Sequence, residues 1–158
     1  MTYAAATSTG APLPGGFVDE FDTAGNFIQR IATNGPINAP WGLAIAPASF
    51  GTFGGDLLVG NLLDSEILAY NLGNNDHLDG FITVKTGVAS SVGLWALDFG
   101  NGTSGDANTL YFTAGINDQQ DGLFGAITVA TVPEPASLAV FVTAIIGLGA
   151  FRQSRRGV

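Results

Sequence analysis

The sequence predicts an all-β chain: a partial β-propeller of four-stranded antiparallel blades, followed by one C-terminal hydrophobic helix. Three observations carry this. Charged residues make up only 11 % of the 158 residues, 23 residues are Gly, and short β-branched and aromatic runs alternate with Gly, Asn, Asp and Pro. That is the pattern of short strands joined by tight turns. The strand pattern then repeats, with an offset of 53 residues from Leu57 to Leu110; self-similarity on this scale, with four short strands per repeat, marks a propeller blade. Finally, residues 138–151 form an uncharged apolar run unlike anything before it. Two domains follow: 1–131, about two to two and a half blades, and 132–158.

Taken in order, residues 1–16 are mostly Ala, Ser, Thr, Gly and Pro, a loop or ragged strand end. Strands at 16–22 and 27–31 flank the turn Thr23-Ala24-Gly25-Asn26 and form a hairpin. Residues 41–47, almost entirely apolar, read as a strand covered on both faces. Strands at 56–61, 65–70 and 81–84 complete this blade. The next begins at 93–99 and continues at 109–115 and 123–129. The first strand of each blade, the most apolar, is expected to line the central axis. The hairpin at 16–31 becomes the outer half of an earlier blade, with inner strands missing or reduced to 1–6. A stack of part-blades leaves apolar faces and strand edges in water, so the chain is expected to be the C-terminal part of a longer propeller.

Charge and composition exclude several classes. Residues 1–135 hold all thirteen acids and only Arg30 and Lys85 as bases; such a body cannot neutralise phosphates, so no nucleic-acid partner is expected. With no Cys there are no disulfides and no thiolate metal sites. A single His, His77, cannot build a multi-His zinc site. The acids at Asp19, Glu20, Asp22, Asp64, Glu66, Asp118 and Asp121 lack the spacing of a calcium loop and read as solvated turn residues. No metal and no cofactor is expected, and no Ser has a His and an Asp at a workable spacing. Residues 1–16 show neither a basic n-region nor an apolar h-region, so no signal peptide is read there.

One set of residues offers a ligand platform. Trp41 and Trp95 occupy equivalent places at the entry to the inner strands, with Asn61 and Asp98 near the strand mouths. Aromatic rings at a propeller mouth can hold a ligand; the alternative is packing between blades, where a Trp buries a large area.

The tail is the most distinctive stretch. Val132-Pro133-Glu134-Pro135 blocks a helix. Leu138, Val140, Phe141, Val142, Ile145, Ile146, Leu148 and Phe151 then form an apolar span, and Arg152, Arg155 and Arg156 close it. Fourteen residues make a helix of about 21 Å, short against roughly 30 Å of hydrocarbon, so temporary membrane residence fits better than a permanent anchor. The Arg cluster suits positive-inside orientation.

On these residues the tail resembles the PEP-CTERM sorting signal of Gram-negative bacteria. The resemblance implies recognition by an exosortase, membrane insertion before processing, and then a place at the cell surface or in the extracellular matrix. The body resembles an uncharacterised bacterial family of NHL-like propeller proteins. The similar segments are Gly16-Phe17-Val18-Asp19-Glu20-Phe21-Asp22, Ala39-Pro40-Trp41-Gly42-Leu43-Ala44, Gly55-Asp56-Leu57-Leu58-Val59-Gly60-Asn61, Gly93-Leu94-Trp95-Ala96-Leu97 with Phe99-Gly100-Asn101-Gly102, and Leu110-Tyr111-Phe112-Thr113-Ala114-Gly115. The chain departs from that family by lacking N-terminal blades. The expected function is a non-enzymatic, exported propeller that binds or scaffolds, with extracellular polysaccharide or the missing blades as partners. The alternatives are a lactonase-type propeller hydrolase and a non-functional gene fragment.

Overall fold

The computed structural model describes residues 1–6, 12–85 and 93–130. They form ten strands: β1 (Thr2–Ala6), β2 (Pro12–Phe21), β3 (Phe27–Thr33), β4 (Pro40–Ile45), β5 (Leu57–Asn61), β6 (Glu66–Asn71), β7 (His77–Thr83), β8 (Gly93–Phe99), β9 (Leu110–Ile116) and β10 (Asp121–Ile127). A single short 3-10 turn, Gly51–Phe53, joins β4 to β5. All strand pairs are antiparallel and between sequence neighbours. They make three meander sheets in chain order: β1–β3, β4–β7 and β8–β10.

The sheets stack face to face, and the middle one is covered on both sides. All five residues of β5 are buried, as are the four central residues of β6. Their side chains alternate across the sheet, as strand geometry requires, and divide between two cores. Leu57, Val59, Leu68 and Tyr70 meet Val18, Ala32 and Ile37 from the first sheet and its exit. Leu58, Ile67 and Ala69 meet Leu94, Leu97, Leu110 and Phe112 from the last sheet.

Glycine sets how closely the second and third sheets approach. A Cβ at Gly42 would lie 3.0 Å from the Leu97 amide nitrogen, and one at Gly60 would lie 3.3 Å from Leu97 Cδ1. Two bare backbones therefore form the groove that seats Leu97. The β4–β5 loop seals one end of this interface. Phe50 is buried and meets Phe99 edge-to-face, ring centroids 5.0 Å apart, and Ser49 hydrogen-bonds Asn108.

Several expectations change. Thr2–Ala6 is a strand, not a loop, and β2 starts at Pro12, because β1 pairs with it (Thr2 opposite Val18, Tyr3 opposite Phe17). The strand covered on both faces is β5 rather than β4: Trp41 and Ile45 are 46 % and 57 % exposed. The strand expected at 81–84 begins earlier, at His77. The sheets are open stacks of three and four strands with no closed ring among the described residues. No helix among those residues is long and apolar enough to cross a membrane. The sorting motif, apolar span and basic stop at 132–158 lie outside the described residues.

Leu58 sits at the middle of the second core, fully buried. Leu58→Ala should destabilise the chain by about 2–5 kcal/mol, read as a lowered midpoint in urea with an unchanged slope. The same change at exposed Leu13 should move it by less than about 0.5 kcal/mol.

Candidate functional site

Trp41 and Trp95 arise from the same local device in consecutive sheets. Pro40 pairs with Asn61 and Gly42 with Gly60, leaving Trp41 as the extra residue of a β-bulge. Leu94 pairs with Ala114 and Ala96 with Thr113, leaving Trp95 in the matching position. A bulge breaks alternation and re-aims one side chain. Here it turns both indoles toward the boundary between sheets, where they meet edge-to-face, centroids 5.1 Å apart at 74°. Each stays partly exposed, 46 % for Trp41 and 38 % for Trp95. The Thr2 hydroxyl donates to the Trp41 carbonyl at 3.0 Å, tying the first sheet to the ledge.

Of the expected platform, the structure unites the two indoles and separates the rest. Asn61 is fully buried. Its Oδ1 accepts the Asn38 amide at 3.0 Å, and its Nδ2 donates to the Pro36 carbonyl at 2.9 Å and to Asp64 Oδ2 at 3.2 Å. These bonds hold the entry loop to β4 and use both Nδ2 hydrogens, and full burial keeps the amide away from solvent. Asp98 stands at the far end of β8 from Trp95, opposite Tyr111, and is exposed.

A neighbouring depression of about 520 Å³, bordered by Trp95 and Asp121, adds Thr113, Gln119 and Phe124, which the sequence did not single out. The β9–β10 turn supplies its polar side, with Asn117, Asp118 and Gln119 all at positive φ (50°, 53°, 66°). Asn117 Nδ2 donates to Asp121 Oδ2 at 2.6 Å. The Asn-Asp-Gln-Gln run was the available signal, since Asn and Asp tolerate left-handed backbone.

Several of the other acids are engaged locally. Asp19 receives Arg30 Nε at 2.7 Å and Nη2 at 3.0 Å, and that hydrogen bond holds its carboxyl below its ordinary value. The Arg30 guanidinium lies 4.0 Å above the Phe17 ring. Asp22 accepts the Asn26 side chain and the backbone amides of Asn26 and Ala24, and the Asn26 side chain leads in lowering its pKa. Asp79 accepts from Asn71 and pairs with His77 Nδ1 at 3.0 Å; both lower its pKa, Asn71 first. Asp56 differs: it is buried, its Oδ2 has no partner, and burial, helped by Asp79, raises its pKa. No three His, Asp or Glu among the described residues converge on a metal-sized point.

No protein-family model matches the chain, and no solved structure does. Two proteins of Acanthamoeba polyphaga mimivirus, each described as an uncharacterized protein, align with it over 118 residues at 31 % and 30 % identity. The alignments cover 71 % of this chain but 29 % and 27 % of those proteins. The chain thus spans less than a third of the length of the curated relatives it matches, and their description carries no activity to transfer.

Two outcomes follow. Asn61→Ala strands buried partners, so it should lower stability by about 1–3 kcal/mol in chemical denaturation. Asp56→Asn should behave oppositely and with pH. A carboxyl whose folded pKa is raised stabilises below its unfolded value near 3.8, and that stability is lost as pH rises through the folded value. The variant should therefore melt higher than the parent at pH 7 and lose that advantage below about pH 4; an equal difference at both pH values would refute the assignment.

Proposed function

We propose that the chain is an exported, non-enzymatic protein of the cell surface or extracellular matrix, built of stacked propeller-type blades with a binding or scaffolding role. Its C-terminus is recognised by an exosortase. One observation carries the reading: Val132-Pro133-Glu134-Pro135, an uncharged span to Phe151, and the arginines Arg152, Arg155 and Arg156, in that order. The order matters physically. The prolines keep the motif out of the helix, the apolar span enters lipid, and the arginines hold its end on the cytoplasmic side. An acidic body ahead of a basic stop suits the same orientation.

The blade reading is supported by three meander sheets stacked in chain order and by the matching Trp bulges. The 53-residue offset from Leu57 to Leu110 places buried Leu at the same pairing position in β5 and β9. A binding role is supported by the exposed Trp41–Trp95 ledge and the depression beside it, which combines aromatic and amide side chains. The lactonase alternative would need polar groups such as Asn61 and Asp98 directed at one metal. The Asn61 amide is committed to Pro36, Asn38 and Asp64, and Asp98 sits apart from it.

The reading is tested by intact-mass and peptide mass spectrometry on the envelope and surface fractions of cells expressing the full chain. The surface form should lack every peptide beyond about Pro135, and the membrane form should retain them. A surface form ending at Val158 would overturn the sorting assignment.

A further inference from the structure

Two Asn-Gly pairs occur in the sequence, Asn34-Gly35 and Asn101-Gly102. In such a pair the backbone nitrogen that follows the asparagine is uncrowded, because glycine has no Cβ. It can therefore attack the asparagine side-chain carbonyl, an intramolecular reaction favoured by proximity. Both pairs lie in exposed turns, so exposure does not tell them apart. Hydrogen bonding does.

At the second pair the reacting groups are held. Asn101 Oδ1 accepts the Thr103 amide at 2.9 Å and the Ser104 amide at 2.8 Å. The Gly102 N–H donates to the Gly105 carbonyl at 2.9 Å. The side chain closes its own turn, and the nitrogen is a bonded donor. At the first pair both groups are free. Neither the Asn34 side chain nor the Gly35 N–H has a hydrogen-bond partner among the described residues. A Cβ at Gly35 would meet nothing within 4 Å. Asn34 and Gly35 both take left-handed backbone, φ 55° and 61°, which these two residue types tolerate.

The free pair stands directly before a segment that matters to packing. The Asn34 N–H donates to the Gly16 carbonyl at 3.2 Å, and the Asn34 carbonyl accepts the Ile37 N–H at 3.2 Å. Ile37 is buried in the core shared by the first and second sheets. Pro36 and Asn38 supply the backbone groups that bind the Asn61 amide.

We propose that Asn34 is a site of spontaneous deamidation and isoaspartate formation, selected over Asn101 by its free side chain and the free Gly35 nitrogen. The Gly35 nitrogen bonds to Asn34 Cγ. The Nδ2 group leaves as ammonia, its third hydrogen replacing the proton that Gly35 gives up to solvent. A five-membered succinimide remains. Water then opens one of its two carbon–nitrogen bonds. Opening at the side-chain carbon gives aspartate. Opening at the main-chain carbonyl carbon gives isoaspartate, whose backbone is one carbon longer. One water is consumed and one ammonia released, with no oxidant, cofactor or enzyme. Isoaspartate also displaces the carbonyl that accepts Ile37, so it loosens the junction between the first two sheets.

The experiment is ageing of the full chain in mild detergent at neutral and mildly alkaline pH, followed by tryptic peptide mass spectrometry. Cleavage after Arg30 and Lys85 puts Asn34 and Asn101 on different peptides. In the folded chain Asn34 should exchange its amide for an acid about ten times faster than Asn101, since a net hydrogen bond is worth up to about that factor. The rate should rise with pH, and the product should be labelled by an isoaspartate-specific methyltransferase. In urea the two pairs should react alike. Equal rates in the folded chain overturn the proposal, and so does an unreactive Asn34. A preference for Asn34 that persists in urea assigns the difference to the sequence neighbours and also overturns it. The aged chain should unfold at lower urea than fresh Asn34→Asp, which carries the same charge on an unlengthened backbone. An equal midpoint would overturn the loosening of the junction.

Discussion

Burial of β5 and β6, the two central strands of the middle sheet, on both faces is the constraint on which the other elements depend. Alternate residues of β5 and β6 belong to different cores, so neither strand has a solvent side. Each fully buried aliphatic side chain there contributes about 1.5–3 kcal/mol, and the first and third sheets hold their positions by covering them. In a sheet with one wet face, a one-residue slip exposes the apolar set, and exposure fixes the register. That penalty is absent here, because both faces are apolar. Shape takes over: a slip would put Leu43 or Val59 where Gly42 and Gly60 make room for Leu97. Packing, not polarity, selects the pairing of these strands.

Away from the middle sheet, burial falls and polar chemistry moves into the turns. β7 and β10 alternate between exposed and half-buried residues. Asp22, Asp64, Asn71, Asn101 and Asp106 each accept a backbone N–H two residues ahead, the arrangement by which Asx side chains close turns. Three of the body's acids, Asp22, Asp64 and Asp106, are thus turn-forming charges held in separate loops. Asp56 is buried with an unpaired oxygen, and its raised pKa reflects the cost of placing a carboxyl directly before a fully buried strand.

Much of this architecture was legible in the sequence because strand cores and turns carry local signals. The runs at 93–99 and 56–61 coincide with strands almost residue for residue, and the 53-residue offset holds in the pairing registers. The failures have specific causes. Thr2–Ala6 has no hydrophobic pattern of its own and becomes a strand only by pairing with β2. The start of β7 at His77 was hidden because its first residues are polar and face water. β4 seemed fully covered because a bulge is invisible to composition: one inserted residue sends Trp41 outward while its neighbours stay buried. Asn61 was legible as a polar residue at a strand mouth, but not as one whose amide is consumed by Pro36, Asn38 and Asp64, partners set by a loop fold that no local pattern encodes.

The repeated bulge links the site to the stack. The two bulges place Trp41 and Trp95 on either side of the boundary between the second and third sheets, so their contact exists only because two sheets carry the same bulge and lie side by side. The two bulges hold their indoles at the rim between the second and third sheets, each partly open to solvent, while Tyr111 and Phe124 stack on the outward face of β8–β10.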